Sequence, residues 1–207
     1  MSFWNWFRNL CIPKPKILLE KPPVSEPNEP QLASFYAFEN ALGHRESGNN
    51  YTIVNEYGYL GRFQFGMARL CDFGLTERKP NLKGYSNKCF QWVPPFSKEV
   101  FLAHPRLQDK LFELHVSTHA KRILKVYPAW VDTLLEDGTL LTLSGIVACF
   151  HLLGEGGFKH WIDGEDTADA MGTMASDYLE KFSGYEIPLN LQTPAEVDLK
   201  EYVGTTS

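Results

Sequence analysis

The chain has 207 residues, 43% of them hydrophobic and 14% aromatic, which is enough for one domain with a full core plus an arm. Its formal net charge is −5 and Lys and Arg form no block, which argues against nucleic acid as a partner, because phosphate neutralisation needs clustered cations. No stretch approaches the roughly 18 apolar residues that span a bilayer.

Residues 1–30 read as an arm. The start, Met1-Ser2-Phe3-Trp4-Asn5-Trp6-Phe7, lacks the basic region, apolar run and cleavage site of a signal peptide. Its aromatics suit a membrane interface, a partner protein or the domain's own surface. Pro13, Pro15, Pro22, Pro23, Pro27 and Pro30 exclude a regular helix or central strand after Ile12.

From Gln31 the pattern turns helical. Leu32, Phe35, Tyr36, Glu39 and Leu42 share one face, predicting a helix over 31–45 that Ser47-Gly48-Asn49-Asn50 stops. Residues 52–65 alternate loosely and predict a short irregular hairpin, and Met67–Phe73 a brief helix closed by Gly74. Residues 75–96 read as loop, pinned by Trp92. Pro105 to Val126 is the clearest helix, with Pro105 in its first turn. A helix near Ala129–Leu135 follows. Leu143–Leu153 is apolar nearly all round, hence central, and ends at Gly154. A short helix over 157–162 and a last one from Thr173 to about Phe182 complete the domain. Residues 187–207 show no periodicity and read as an extended tail. The expected class is mainly α (α+β), as one domain over 31–186.

The four cysteines show no metal-type spacing. Cys149 reads as an inert core thiol, while Cys71 and Cys89 admit a disulfide in an oxidising compartment. His115 and His119, four apart on one helix, lack a third ligand, so neither metal nor organic cofactor is expected.

The chemistry concentrates at Glu46, where the first helix gives out, and at Gln64, within Gly58-Tyr59-Leu60-Gly61-Arg62-Phe63-Gln64-Phe65-Gly66. An acid at a helix end facing a glycine-rich segment with a polar amide has the parts to protonate and position a sugar. Aromatic walls from Phe63 and Tyr51 would favour its protonated form. Glu46-Ser47-Gly48 resembles the Glu-Ser-Gly signature of lytic transglycosylases and related muramidases of the lysozyme-like superfamily. Gly61-Arg62-Phe63-Gln64 is similar to their Gly-Leu-Met-Gln segment. Phe150-His151-Leu152-Leu153-Gly154-Glu155-Gly156 resembles their Ala-Tyr-Asn-Ala-Gly-x-Gly motif, with His151 for the tyrosine and Leu152 for the asparagine. The longer run from Glu46 to Gly66 also resembles lysozyme-like domains of phage structural proteins and secreted antibacterial effectors.

The resemblance implies a lysozyme-like fold over 31–186 and cleavage of the MurNAc-β-1,4-GlcNAc bond of bacterial peptidoglycan, by hydrolysis or by ring closure. Glu46 would be the general acid, with Ser47, Gly61, Phe63, Gln64 and Gly154 holding substrate. Glu56, Tyr57 and His151 are candidates for a second or supporting role, and Asp72 and Glu155 are further carboxylates to weigh. Trp92, Trp130 and Trp161 are stacking or core residues. The partners implied are peptidoglycan, a delivery machine or virion component met through residues 1–30, and an inhibitor or immunity protein. A protein made in the cytoplasm without a signal peptide would reach the periplasm or wall by such delivery. A different class stays open: a non-catalytic glycan-binding or assembly module that retains the fold.

Overall fold

The computed structural model describes residues 33–136, 138–169 and 171–204. The aromatic and proline-rich arm over 1–30 lies outside them. The described chain is mainly helical, with six α-helices and two small two-stranded sheets. None of these helices is long and apolar enough to cross a membrane. The described residues divide into two compact units. Residues 33–118 with 186–204 form the first, and residues 119–185 the second.

In the first unit, α1 runs over Phe35–Ser47. Ser34 caps it, its hydroxyl accepting the Ala37 N–H at 3.3 Å. Gly48, at φ 66°, ends it, and the Gly48 and Asn49 N–H groups return to the His44 and Gly43 carbonyls. This left-handed stop is the one a glycine allows, and His44 and Arg45 in the last turn suit the negative helix end. The segment that follows has bridges Val54↔Leu60 and Leu60↔Phe65 but no longer strand, as an irregular hairpin requires. Next come α2 (Met67–Asp72), β1 (Thr76–Arg78) and β2 (Phe90–Trp92). Thr76 pairs antiparallel with Trp92 and Arg78 with Phe90, so part of the segment expected as loop forms a sheet. A helix absent from the expectation, α3 (Lys98–Ala103), is capped by Ser97, whose hydroxyl accepts the Val100 N–H at 3.1 Å.

α4 spans Pro105–Val126, as its sequence predicts, and gives its residues through Thr118 to the first unit. The core here is aromatic. Phe63 stacks on Phe112 with ring centroids 4.0 Å apart and planes 6° from parallel, and Phe38 approaches the same ring at 6.1 Å. The residues expected as an extended tail carry two 3-10 turns, Pro194–Glu196 and Leu199–Tyr202, and bury Ile187 and Leu199.

In the second unit the expected helix near 129–135 is absent. A 3-10 turn at Pro128–Trp130 leads into β3 (Thr133–Leu134), which pairs with β4 (Leu140–Leu141). Pro128 favours a turn start, and the pairing of β3 with β4 outweighs helix formation in so short a segment. α5 (Leu143–Ile162) is capped by Thr142 and broken at Gly154, where φ is 71° and ψ −178°. The break falls where the sequence placed it. α6 (Ala175–Lys181) packs on α5 across Gly145, whose added Cβ would meet the Leu179 carbonyl oxygen at 2.4 Å.

Candidate active site

The site is built around Arg62, whose side chain is only 5% exposed. Its Nη1 donates to Asp109 Oδ1 at 2.9 Å, Glu39 Oε1 at 3.2 Å and the Tyr51 hydroxyl at 3.1 Å. Nε donates to Asn49 Oδ1 at 2.9 Å, and Nη2 to Asn40 Oδ1 at 2.6 Å. The Tyr51 hydroxyl in turn donates to Asp109 at 3.0 Å. A buried guanidinium is tolerable only when its charge and donors are matched, and here they are. The guanidinium also lies over the Phe63 ring, 4.8 Å from its centroid.

Two glycines make room for this network. An added Cβ at Gly43 would meet Asn49 Oδ1 at 2.5 Å and Arg62 Nε at 2.8 Å. At Gly61 it would meet Gln108 Oε1 at 2.0 Å. That oxygen accepts the Arg62 N–H at 2.9 Å, while Gln108 Nε2 donates to the Tyr51 and Phe101 carbonyls, each at 2.9 Å.

This frame places the sequence-predicted residues. Glu46 is half-buried in the last turn of α1. Ser47, beside it, donates its hydroxyl to the Arg62 carbonyl at 2.7 Å and accepts the Asn50 N–H at 3.0 Å. The Glu46 segment and the Gly61–Gln64 turn are thus clipped together. Gln64 stands at φ 48°, a left-handed conformation that costs a non-glycine residue about 1 kcal/mol or more. Its Nε2 donates to the Gly61 carbonyl at 2.8 Å.

Three assignments need correction. Phe63 is fully buried against Phe112, so it holds the core rather than a substrate. Gly61 is buried and gives its space to Gln108 rather than to a ligand. Ser47 spends its hydroxyl on the clip rather than on a sugar. The wall once expected from Phe63 around Glu46 therefore does not come from that ring. Glu56 and Tyr57 lie exposed on the turn, where Asn55 Oδ1 accepts the Tyr57 and Tyr59 N–H groups, each at 3.0 Å. Asp72 is taken by Arg69 at 2.8 Å.

Among the described residues, the most perturbed carboxyl is one sequence reasoning passed over. Glu39 is raised from the ordinary 4.5 to about 7. Burial disfavours its charge, Arg62 opposes that effect, and Asp109 and Glu113 add like-charge repulsion. Burial first, then the bond to Asp109, also pushes the Tyr51 phenol up.

No family model, curated protein or solved structure matches the chain.

The second unit carries His151, Glu155, Trp130 and Trp161. His151 is half-buried on α5, three residues before the break at Gly154. Glu155 is gripped by Arg122 through two bonds of 2.9 and 2.8 Å and by the Tyr127 hydroxyl at 3.0 Å. The Arg122 bonds hold the Glu155 carboxyl below its usual range, which suits an ion-pair partner and not a proton donor. Trp130 is buried against Trp161, so it serves packing rather than sugar stacking. Cys71, Cys89 and Cys149 are free thiols, and burial pushes Cys149 up to about 12. On α4 the His115 ring nitrogen Nδ1 accepts from Arg69 Nε at 2.7 Å. No group of three metal-ligating side chains comes together among the described residues.

Proposed function

We propose that the chain is a peptidoglycan glycosidase of lysozyme-like character that cuts the MurNAc-β-1,4-GlcNAc bond with Glu46 as general acid. The observation that carries the reading is the clip from Ser47 to the Arg62 carbonyl, which ties the Glu46 segment to the turn bearing Gln64. Glycoside cleavage needs a carboxyl held in fixed relation to a sugar-positioning group, because misplacement by an ångström forfeits much of the rate. The left-handed Gln64 is a second support, since backbone strain of this kind collects at functional sites. In this reading Arg62, Ser47 and Gly61 position the acid and the amide without touching the sugar.

The bond-breaking step is proton transfer from the Glu46 carboxyl to the glycosidic oxygen as the C1–O bond opens, leaving an oxocarbenium-like sugar. Water or the sugar's own 6-hydroxyl then adds its oxygen to C1 and gives its proton back to the Glu46 carboxylate, which restores the acid. The first gives a reducing end and the second an anhydro end, so mass spectrometry of the released muropeptides separates hydrolase from transglycosylase.

A binding or assembly module is the competing reading. It is favoured by the commitment of Ser47, Gly61 and Phe63 to the fold, which leaves fewer side chains for chemistry. Purified sacculi decide between them: an enzyme releases muropeptides and Glu46→Gln stops release, whereas a module binds sacculi equally with either residue and releases nothing.

A further inference from the structure

A pocket of about 260 Å³ lies on the first unit, lined by Arg106, Asp109, Lys110 and Glu113 of α4 and by Tyr202 of the last 3-10 turn. Most of its charges are already matched. Asp109 is held by Arg62 and Tyr51, and Lys110 pairs with Glu113 at 2.6 Å. The Arg106 guanidinium and the Tyr202 hydroxyl have no hydrogen-bond or ion-pair partner among the described residues. A planar guanidinium fork beside a hydroxyl donor is the arrangement that recognises a carboxylate. The volume falls just below the roughly 300–1,000 Å³ of a full small-molecule site, so a terminal group fits better than a disaccharide.

The pocket is also linked to the glycan site. Its Asp109 wall and the Glu46 clip share one residue, Arg62, which donates to Asp109 at 2.9 Å and accepts from Ser47 at 2.7 Å. We propose that Arg106 and Tyr202 bind a free carboxylate of the peptide stem carried by the glycan, so that the protein selects strands with uncapped acidic stems. This deepens the glycosidase reading and rests on it for the identity of the ligand.

The probe is a synthetic muramyl tripeptide ending in a free carboxylate, set against the same compound ending in an amide. Binding to the full chain is followed by calorimetry, with wild type, Arg106→Gln, Tyr202→Phe and Glu46→Gln in parallel. Wild type and Glu46→Gln should prefer the acid by about tenfold or more, the worth of one charge-assisted contact. Arg106→Gln should erase the preference, and Tyr202→Phe should narrow it. Arg106 is exposed, so its replacement leaves the fold intact, which circular dichroism checks. Equal binding of acid and amide, or binding of neither, overturns the proposal. Muropeptide release without acid preference sinks this inference alone. Acid preference without release sinks the glycosidase reading and leaves the carboxylate pocket standing.

Discussion

Replacing Glu39 with Gln should make the protein more stable, and increasingly so as pH rises. Glu39 sits almost buried beside Arg62, with Asp109 and Glu113 as like charges facing it, and its folded-state value is raised from 4.5 to about 7. The protonated form is therefore the one the fold prefers. Between those two values the folded chain holds a proton that the unfolded chain has released, so stability falls with pH across that interval. At about 1.4 kcal/mol for each pH unit, the loss reaches about 3 kcal/mol by the upper end. Glutamine imitates the neutral acid in shape and carries no charge, so its contribution does not titrate. Urea unfolding of both proteins at pH 4.5, 6 and 8 should show near-equal midpoints at the lowest pH and a variant ahead by about 3 kcal/mol at the highest. A variant that falls further behind as pH rises would mean that the ion pair with Arg62 outweighs burial, and the account of this cluster would be wrong.

Other perturbations test the same frame. Arg62→Leu, which installs the residue of the resembled family segment, removes a buried cation and strands Glu39, Asn40, Asn49 and Asp109. It should cost about 3–5 kcal/mol by chemical unfolding, and a change below about 1 kcal/mol would contradict the network. Gly61→Ala forces a methyl group onto the Gln108 carboxamide at a left-handed position, and should cost about 2 kcal/mol or more. The double variant Gly61→Ala with Gln108→Ala should lose less than the sum of the two single changes, because the clash is shared. Strict additivity would argue against it.

Long periodic elements were legible in the sequence, and so was their punctuation. α4 begins at Pro105 and ends at Val126 as its apolar spacing predicts, and Gly154 breaks α5 where the run of core residues stops. What escaped was tertiary in origin. β1 and β2 have three residues each, and their pairing joins segments too short and too polar to alternate visibly. α3 has one readable sign, the Ser97 cap, but only six residues of pattern behind it. The segment at 129–135 shows the reverse error, helical spacing overruled by a strand pairing.

At the site, Glu46 and Gln64 stood out because motif residues are local in sequence. The Arg62 network did not, since its partners run from Glu39 to Asp109 and meet only on folding. Two signals pointed toward it. Glu39 lies on the apolar face of α1, where a carboxylate must be paired or protonated, and Arg62 stands among the apolar Leu60, Phe63 and Phe65. Reading both together asks for an ion pair between them, and the structure has it at 3.2 Å.

The most direct test of the central claim is the rate at which purified protein releases soluble muropeptides from washed sacculi, compared between wild type and Glu46→Gln at equal folded concentration. General acid catalysis predicts release by wild type and a loss of about a hundredfold or more in the variant. Equal rates from the two proteins, or no release by wild type while both bind the sacculi, would contradict the assignment of Glu46 as the proton donor.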